Sequence, residues 1–343
     1  MLAVRKAAPV QGVEIEELSQ PNPNDEEVLI EVNLAGVCGS DKHLYLWDAW
    51  ASENYGTPFT LGHELVGVVA DVGAGVTGIS IGETVAVESH IFCGICRPCR
   101  TGNAHVCEKL QILGIDVSGG FAEFAAVPAR VVWRVPQNIP PHLAVLFEPL
   151  GNAVHAVMRY NVSGHPVAVY GCGPMGLMAI AVAQTAGAYP IVATDVSSFR
   201  RDLARRMGAQ ITLDADRETL EDDIVDALGQ RPTVSLEMSG HPNAIRQALR
   251  VSSNAGKVVC LGIPPAPVLI DLAEEVMFKG LEIYGVTGRL IWETWYQTET
   301  FLQVHSDCLA PLVTHTFKLP DFKHAMKIML QGDCGKVLIE VGS

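Results

Sequence analysis

Strand and helix alternate along the chain from Pro166 to Val286, and this alternation constrains the fold more than any other feature. Short apolar segments rich in Val, Ala and Ile are each followed by a segment with helical character. The predicted strands are 166–171, 190–195, 210–213, 234–240, 257–263 and 281–286, and the predicted helices are 174–187, 199–208, 218–229 and 242–251. Such alternation is typical of a doubly wound parallel sheet. We therefore predict an α/β fold with this sheet in a domain over residues 151–289.

The first 150 residues show a different pattern, in which short β segments are separated by Gly, Asn and Pro. These segments are 27–33, 65–72, 83–88 and 121–127. After Gly288 follow an aromatic-rich helix, a strand at 312–319, a helix at 320–331 and a strand at 336–341. This tail is too short to fold alone. We therefore expect residues 290–343 to return and complete a β-rich domain formed by residues 1–150.

Length and charge narrow the function classes. A chain of 343 residues is about two to three times a typical domain, which favours two cores. The formal net charge of −14 repels phosphate backbones and anionic lipids, so no nucleic-acid or membrane-surface partner is expected. No apolar run approaches the roughly 18 residues that span a bilayer, and no secretory segment follows Met1. We expect a cytoplasmic protein.

A glycine-rich turn directly follows the apolar strand at 166–171 and opens a helix. Its glycines, Gly171, Gly173 and Gly176, form a G-x-G-x-x-G pattern. The pattern permits a tight turn, close approach of the backbone to a pyrophosphate, and close packing of helix on strand. The helix N-terminus adds N–H donors and a favourable dipole. The motif alone is a weak signal, because glycine-rich turns are common.

An acidic residue strengthens the interpretation as a dinucleotide site. Asp195 ends the second predicted strand, 24 residues after Gly171, where a carboxylate can accept both ribose hydroxyls of an adenosine. A 2′-phosphate would be repelled there, which favours NAD over NADP. Arg200 and Arg201 follow, and arginines here can accommodate a 2′-phosphate. We expect Asp195 to determine the preference for NAD over NADP. We expect Arg200 to lie against the adenosine and Arg201 to be solvated.

Four of the nine cysteines are clustered, which favours metal thiolates over disulfides in a chain without an export signal. They are Cys93, Cys96, Cys99 and Cys107. Four thiolates at these spacings can surround zinc tetrahedrally and leave no open position. We predict a closed structural zinc site in a lobe over residues 88–110, with His105 surplus to it.

A second, dispersed set of residues offers ligands for a catalytic zinc. Cys38 follows a predicted strand, His63 precedes another, and Glu148 offers a third ligand. A Cys and a His with a carboxylate or water leave a position for substrate. Taken alone, single Cys and His residues on strands are more often satisfied core residues. A zinc-protease helix is excluded, because Gly67 stands where its second histidine is needed.

Taken in order, these motifs resemble one family over essentially the whole chain: the zinc-dependent medium-chain alcohol and polyol dehydrogenases. The motifs are C-x-S-x2-H from Cys38, G-H-E-x2-G from Gly62, the four-cysteine lobe and the G-x-G-x-x-G turn. The resemblance implies a GroES-like catalytic domain and a Rossmann cofactor domain. The likeness is greatest to the branch that oxidises L-threonine, through LYLWDAW (44–50), ESHIFCG (88–94), EPLGNAVH (148–155), LGIPP (261–265) and GRLIWETWY (288–296).

The resemblance also implies roles for individual residues. Catalytic-zinc positions are Cys38, His63, Glu64 and Glu148, and the proton relay matches Ser40 and His43, with Glu148 assisting in some members. The NAD-binding positions are Met175, Asp195, Arg200, Leu261, Gly262, Ile263, Val286 and Thr287. Candidate substrate contacts are His90, Trp50 and Thr294.

The implied activity is oxidation of the 3-hydroxyl of L-threonine to 2-amino-3-oxobutanoate with NAD as hydride acceptor, in a homotetramer. Zinc would lower the pKa of the hydroxyl, Ser40 would pass its proton to the nicotinamide ribose hydroxyl, and His43 would pass it on to solvent. The sequence departs from that branch at Ser40, where threonine is usual, at Leu46, and around Phe59 and Thr60. Alternatives are an NAD-dependent polyol or vicinal-diol dehydrogenase, a zinc-free reductase, and a non-catalytic zinc-ribbon binding protein.

Overall fold

The structure is a computed structural model that describes residues 1–342, so the last residue of the segment 290–343 lies outside the described range. The chain divides into two compact units. Unit 1 contains Met1–Pro149, Leu290–Trp295 and the described residues from Val313 onward, and unit 2 contains Leu150–Arg289 and Tyr296–Leu312. Among the described residues, no helix is long and apolar enough to cross a membrane.

The elements up to residue 158 are mostly short strands. The strands are β1 (Leu2–Lys6), β2 (Glu14–Glu17), β3 (Glu27–Val37), β4 (Phe59–Thr60), β5 (Glu64–Val72), β6 (Thr84–Val87), β7 (His90–Ile91), β8 (Gln111–Ile112), β9 (Phe124–Pro128) and β10 (Val132–Arg134). The helices are α1 (Gly39–Leu46), α2 (Ala49–Asn54), α3 (Arg97–Arg100), α4 (Pro141–Ala144) and α5 (Phe147–Met158).

The rest of the chain begins with alternating elements and ends with a mixed tail. The alternating part contains β11 (Val167–Tyr170), α6 (Pro174–Thr185), β12 (Ile191–Asp195), α7 (Ser198–Arg206), β13 (Ile211–Asp214), α8 (Leu220–Leu228), β14 (Val234–Glu237), α9 (Pro242–Val251), β15 (Lys257–Cys260) and β16 (Glu282–Gly285). The tail contains α10 (Glu293–His305), β17 (Val313–Lys318), α11 (Phe322–Gln331) and β18 (Lys336–Glu340).

Unit 2 contains the parallel sheet that the alternation predicts. Its six strands have the order β13-β12-β11-β14-β15-β16, and every neighbouring pair is parallel. Strand order reverses direction around β11, so the carboxyl ends of β11 and β14 flank a topological switch point, where open α/β sheets bind ligands. The predicted α/β fold class is confirmed.

Unit 1 is built on a seven-stranded sheet whose main path runs β10-β6-β5-β3-β18-β17, with β9 also paired to β3. The long strand β3 buries Val28, Ile30 and Val32 on its core side, which is the period-2 pattern of a half-buried strand. Gly36 pairs with Glu64 of β5, and Val37 pairs with Val337 of β18. These two registers bring the ends of three strands together where α1 begins.

The aromatic-rich segment differs from the sequence expectation. We expected all of 290–343 to join the N-terminal domain, whereas Tyr296–Leu312 groups with unit 2. The reason is packing within that unit. The hydroxyl of Thr298 on α10 would lie 3.6 Å from a Cβ on Gly151, and the turn Ser306–Leu309 contacts α6.

Candidate metal centres and dinucleotide edge

Cys38, His63 and Glu64 lie together in unit 1, and each offers a ligand atom within 4.8 Å of the others. Cys38 is the N-cap of α1 directly after β3, and Glu64 is the first residue of β5, preceded by His63. His63 and Glu64 are buried, with 5% and 1% of their surface exposed. A thiolate, an imidazole nitrogen and a carboxylate are the donors that zinc prefers, and three protein ligands leave a position for exchange. The donor set therefore fits a catalytic zinc.

Asp41 is a buried carboxylate beside this centre, and the sequence patterns did not single it out. Its buried Oδ2 accepts the backbone N–H of Cys38 at 2.8 Å, and its Oδ1 lies 4.0 Å from Nδ1 of His63. A carboxylate behind a ligating histidine orients the ring and increases its basicity. The capping-box position of Asp41 in α1 was the available signal, but no clear helical period stands out there.

The charged groups around His63 shift its pKa. Burial disfavours the protonated form of His63, yet Cys38, Asp41 and Glu148 raise its pKa to about 10. Burial also raises the pKa of Asp41 to about 6. The surrounding groups thus favour a positive charge in this pocket.

Ser40 and His43 lie on α1. Oγ of Ser40 lies 3.5 Å from Nε2 of His63, so its hydroxyl faces the candidate metal centre. The half-exposed His43 ring contacts Oδ2 of Asp48 through Nδ1 at 2.5 Å, which fixes its orientation. Trp50 packs edge-on against His43, with 5.7 Å between ring centroids. Trp50 therefore supports the histidine ring.

Glu148 lies outside the group of Cys38, His63 and Glu64. It sits in the first turn of α5, and its Oε1 accepts a hydrogen bond of 2.6 Å from the hydroxyl of Ser89. Its charge nevertheless contributes to the raised pKa of His63.

The other two candidate substrate residues, His90 and Thr294, are buried in unit 1. His90 begins β7, and its backbone N–H donates to Glu88. The Thr294 hydroxyl donates to the carbonyl of Leu290 at 3.1 Å. His90 thus bonds through its backbone to a carboxylate, and Thr294 bonds through its side chain to a backbone carbonyl.

The four cysteines of the lobe converge as their spacing predicts. Sulfur separations are 3.3 Å for Cys96 to Cys99, 3.8 Å for Cys96 to Cys107 and 4.0 Å for Cys93 to Cys99. Tetrahedral zinc with four thiolates requires sulfurs about 3.8 Å apart. The backbone N–H groups of Ile95 and Cys96 lower the pKa of Cys93 to about 6. The lobe thus fits a four-thiolate zinc site.

Each glycine of the glycine turn in unit 2 lacks a side chain for a different structural reason. Gly171 has φ +93°, and a Cβ on it would lie 2.7 Å from Cβ of Ser239. A Cβ on Gly176 would lie 1.8 Å from the carbonyl oxygen of Gly171, so helix and strand pack without room for a side chain. Gly173 has open space around it, which a phosphate group can approach. Met175 follows in the first turn of α6.

The end of β12 is organised around Asp195. Its carboxylate accepts the backbone N–H groups of Cys172 at 2.8 Å and Ser197 at 2.9 Å, which ties it to the glycine turn. Arg201 donates to the carbonyl of Asp195 at 2.7 Å and pairs with Asp214 at 3.0 Å. The expectation that Arg201 is merely solvated was wrong, because these bonds fix it against β12 and β13. Arg200 lies in the first turns of α7.

The remaining predicted cofactor positions follow the carboxyl ends of two further strands. Leu261, Gly262 and Ile263 come after β15, and Val286 and Thr287 come after β16. They therefore share the edge that carries the glycine turn and Asp195.

Two contacts of this edge did not emerge from the sequence. A Cβ on Gly262 would lie 1.9 Å from the backbone nitrogen of Gly240, so two loops touch there. The buried Glu237 holds the turn after β14 by accepting from Ser239 and Gly240. Burial raises the pKa of Glu237.

Two family models match the chain. The model described as "Alcohol dehydrogenase GroES-like domain" matches residues 24–137. The model described as "Zinc-binding dehydrogenase" matches residues 174–303. Over 343 residues the chain is 44% identical to an L-threonine 3-dehydrogenase of Bacillus velezensis, covering 99% of this chain and 98% of the relative.

Solved structures share the architecture. A short chain alcohol dehydrogenase of E. coli CFT073, complexed with NADH, superposes with a TM-score of 0.90 at 29% identity and 99% coverage of both chains. A zinc-binding dehydrogenase of Sinorhizobium meliloti 1021, bound to NADP, superposes with a TM-score of 0.90 at 26% identity, covering 99% of this chain and 98% of that chain.

Proposed function

The chain belongs to the zinc-binding alcohol dehydrogenase family with a GroES-like domain, and from this premise we propose that it oxidises the 3-hydroxyl of L-threonine with NAD⁺ as hydride acceptor. The product would be 2-amino-3-oxobutanoate. The observation that carries the proposal is the convergence of Cys38, His63 and Glu64 beside the Ser40 hydroxyl. The full-length similarity to an L-threonine 3-dehydrogenase supports the choice of substrate.

We assign two zinc ions to each chain. Cys38 and His63, with Glu64, Glu148 or water as the further ligand, would hold a catalytic ion, which supplies Lewis acidity to a substrate hydroxyl. Cys93, Cys96, Cys99 and Cys107 would hold a structural ion with no open position. Thiolate sites of this kind need reduced cysteines, which supports the proposal that the protein works in the cytoplasm.

The protein residues would carry the proton that the alcohol loses. Ser40 is placed to accept it, because its hydroxyl faces the metal centre, and a hydroxyl can accept one proton while it donates another. His43 is half-exposed and held by Asp48, so it can release a proton to solvent. The Asp41 carboxylate, 4.0 Å from Nδ1 of His63, would favour a positive charge on that ring.

Replacing His43 tests the relay. We expect His43→Ala to lower kcat by about 10²-fold near neutral pH, the lower end of what a positioned acid or base contributes. A small exogenous base such as imidazole should restore part of the rate. The exposed His142 provides the matched control, since His142→Ala should leave kcat unchanged. An unaltered rate and pH profile in His43→Ala would remove His43 from the relay.

Replacing Asp195 tests the preference for NAD over NADP. Asp195→Ser removes the carboxylate that would repel a 2′-phosphate while keeping a hydrogen-bonding side chain. We expect the ratio of kcat/KM for NAD to that for NADP to fall about 100-fold, within the usual range for a buried charged contact. The exposed Asp202 serves as the control position. A preference for NADP in the wild-type enzyme would contradict the assignment directly.

The activity itself is tested by NADH formation with the zinc-replete enzyme. L-threonine, L-serine, 2,3-butanediol and sorbitol are compared, each with NAD and with NADP. The proposal expects L-threonine with NAD to give the highest kcat/KM. A preference for a diol or polyol would overturn the assignment of L-threonine as the substrate. Ser40 and Leu46, where the chain departs from the threonine-oxidising branch, would then be the first residues to examine for the difference in specificity.

We further propose that the chain assembles as a homotetramer. Strand β16 is the last in the order of the unit 2 sheet and pairs only with β15 within the described residues. Unpaired strand edges next to exposed apolar residues favour pairing with another chain. The exposed apolar residues near this edge are Leu269, Leu272, Met277, Phe278 and Ile283. Pairing of two β16 edges would supply one of the interfaces that a symmetric tetramer needs.

Charge at this edge should break the assembly. We expect Phe278→Asp combined with Ile283→Lys to lower the solution mass from four subunits to two or fewer, because charges at an apolar interface lose their hydration. Light scattering after size-exclusion chromatography measures the mass. The exposed Ile81 of unit 1 gives a control, Ile81→Asp, that should keep the wild-type mass. A four-subunit mass in the double variant would place the interface elsewhere.

A further inference from the structure

Lys336 is a buried cation beside the candidate catalytic zinc centre, and neither the motifs nor the proposed reaction assigns it a role. It is the first residue of β18, and only 1% of its surface is exposed. Its ammonium group forms an ion pair with Oε2 of Glu64 and donates to the carbonyl of Val37 at 2.9 Å. Lysine is almost never fully buried unless it is paired, so the ion pair with Glu64 accounts for the burial of Lys336.

The backbone of β3 at Gly36 lies directly against this ion pair. A Cβ on Gly36 would lie 2.1 Å from Oε2 of Glu64 and 2.9 Å from Cε of Lys336. The ion pair therefore occupies the space in which any other residue at position 36 would place its side chain. The register of β3 with β5 and β18 fixes the three residues together.

The Glu64 carboxylate can bind either the Lys336 ammonium group or a metal ion at the candidate centre. One of its carboxylate oxygens lies in the ligand group with Cys38 and His63, and its Oε2 is held by Lys336. A carboxylate balanced by a buried lysine gains less from binding a metal ion than an unpaired one does, because its charge is already compensated. The ion pair with Lys336 thus lowers the affinity of the Glu64 carboxylate for the metal ion.

We propose that Lys336 is a positioning residue that keeps Glu64 from joining Cys38, His63 and a third ligand, Glu148 or water, as a permanent fourth zinc ligand, so that the exchange position stays open. The proposal rests on the assignment of a catalytic zinc to this centre. With Lys336 in this role, strand β18 becomes part of the metal site. The arrangement requires glycine at position 36, because a side chain there would overlap the ion pair.

The test compares Lys336→Met with Lys336→Arg after cobalt replaces zinc in the catalytic centre. Methionine keeps much of the side-chain volume but leaves Glu64 without its cation. We expect the visible cobalt bands of Lys336→Met to weaken, as an added ligand causes, and metal release to a chelator to slow by about tenfold, the scale found when groups that contact metal ligands are changed. Arginine should restore both to the wild-type values.

A second variant separates positioning from a structural role and remains informative if Lys336→Met folds poorly. Glu64→Gln should leave the resting cobalt spectrum unchanged, because the carboxylate is held off the metal. Lys336→Met combined with Glu64→Gln removes the unpaired charge and should show the spectrum and release rate of Glu64→Gln alone. Lys6→Met replaces another fully buried lysine of unit 1, bonded to backbone carbonyls, and should not change the cobalt spectrum.

Three results would overturn the inference. Glu64→Gln could alter the resting spectrum as much as Lys336→Met, which would make Glu64 a permanent ligand. The release rate in Lys336→Met could equal that of the wild type. A wild-type chain that binds only the lobe metal would remove the catalytic zinc and this inference together, whereas failure to oxidise L-threonine would leave the metal-release result intact.

Discussion

Cys38→Ala should abolish alcohol oxidation while the protein stays folded. The substitution removes the thiolate that begins the candidate catalytic centre, so zinc content should fall from two ions to one per chain. Metal Lewis acidity contributes several kcal/mol to such reactions, which corresponds to a loss of about 10³-fold or more in kcat/KM. Zinc analysis by mass spectrometry and NADH formation measure the two effects.

The matched control for Cys38→Ala is Cys308→Ala, because Cys308 lies outside both metal clusters and in unit 2. It should keep two zinc ions and full activity. NAD binding by Cys38→Ala should also persist, since the predicted cofactor positions belong to unit 2. Two zinc ions and near-normal turnover in Cys38→Ala would refute the metal assignment.

Cys99→Ser should have its main effect on stability. Cys99 is one of four sulfurs in the lobe, and a hydroxyl replaces a thiolate poorly as a zinc ligand. Since structural zinc contributes about 10–16 kcal/mol of apparent binding free energy in small domains, losing even part of it should lower the Tm by roughly 10 °C. Differential scanning calorimetry measures the shift.

Two observations distinguish a loss of the lobe from a general loss of stability. Limited proteolysis of Cys99→Ser should begin between residues 93 and 107, where the chain depends on the metal for its fold. The remaining zinc should be the catalytic one, so activity at low temperature should stay within about tenfold of the wild type. A normal Tm together with two bound zinc ions would show that the lobe does not need its fourth thiolate.

The sequence predicted the Rossmann-type sheet because its determinants are local. Apolar strands, helical segments and the glycine turn lie within a few residues of one another, so their order alone gives the topology of parallel units. The predicted strand at 166–171 and the helix at 242–251 closely match β11 and α9. The four-cysteine lobe was predictable for the same reason, since its ligands span only residues 93–107.

The short helices α1 and α2 escaped prediction. Each has fewer than nine residues, too few for an apolar period to stand out, and α1 begins with Gly39 and Ser40. Yet α1 decides where Ser40, Asp41 and His43 point. Their roles stay predictions that the variants above test.

The chain by itself determined the fold class, the four-cysteine motif and the glycine-turn motif, because each is a short-range pattern. Only the tertiary structure decided the surroundings of the candidate catalytic centre. Lys336 stands 272 residues after Glu64, and nothing near it in the sequence marks it as a partner of a metal site. Strand register creates that contact, since pairing of β3 with β5 and with β18 places Gly36, Glu64 and Lys336 at one point.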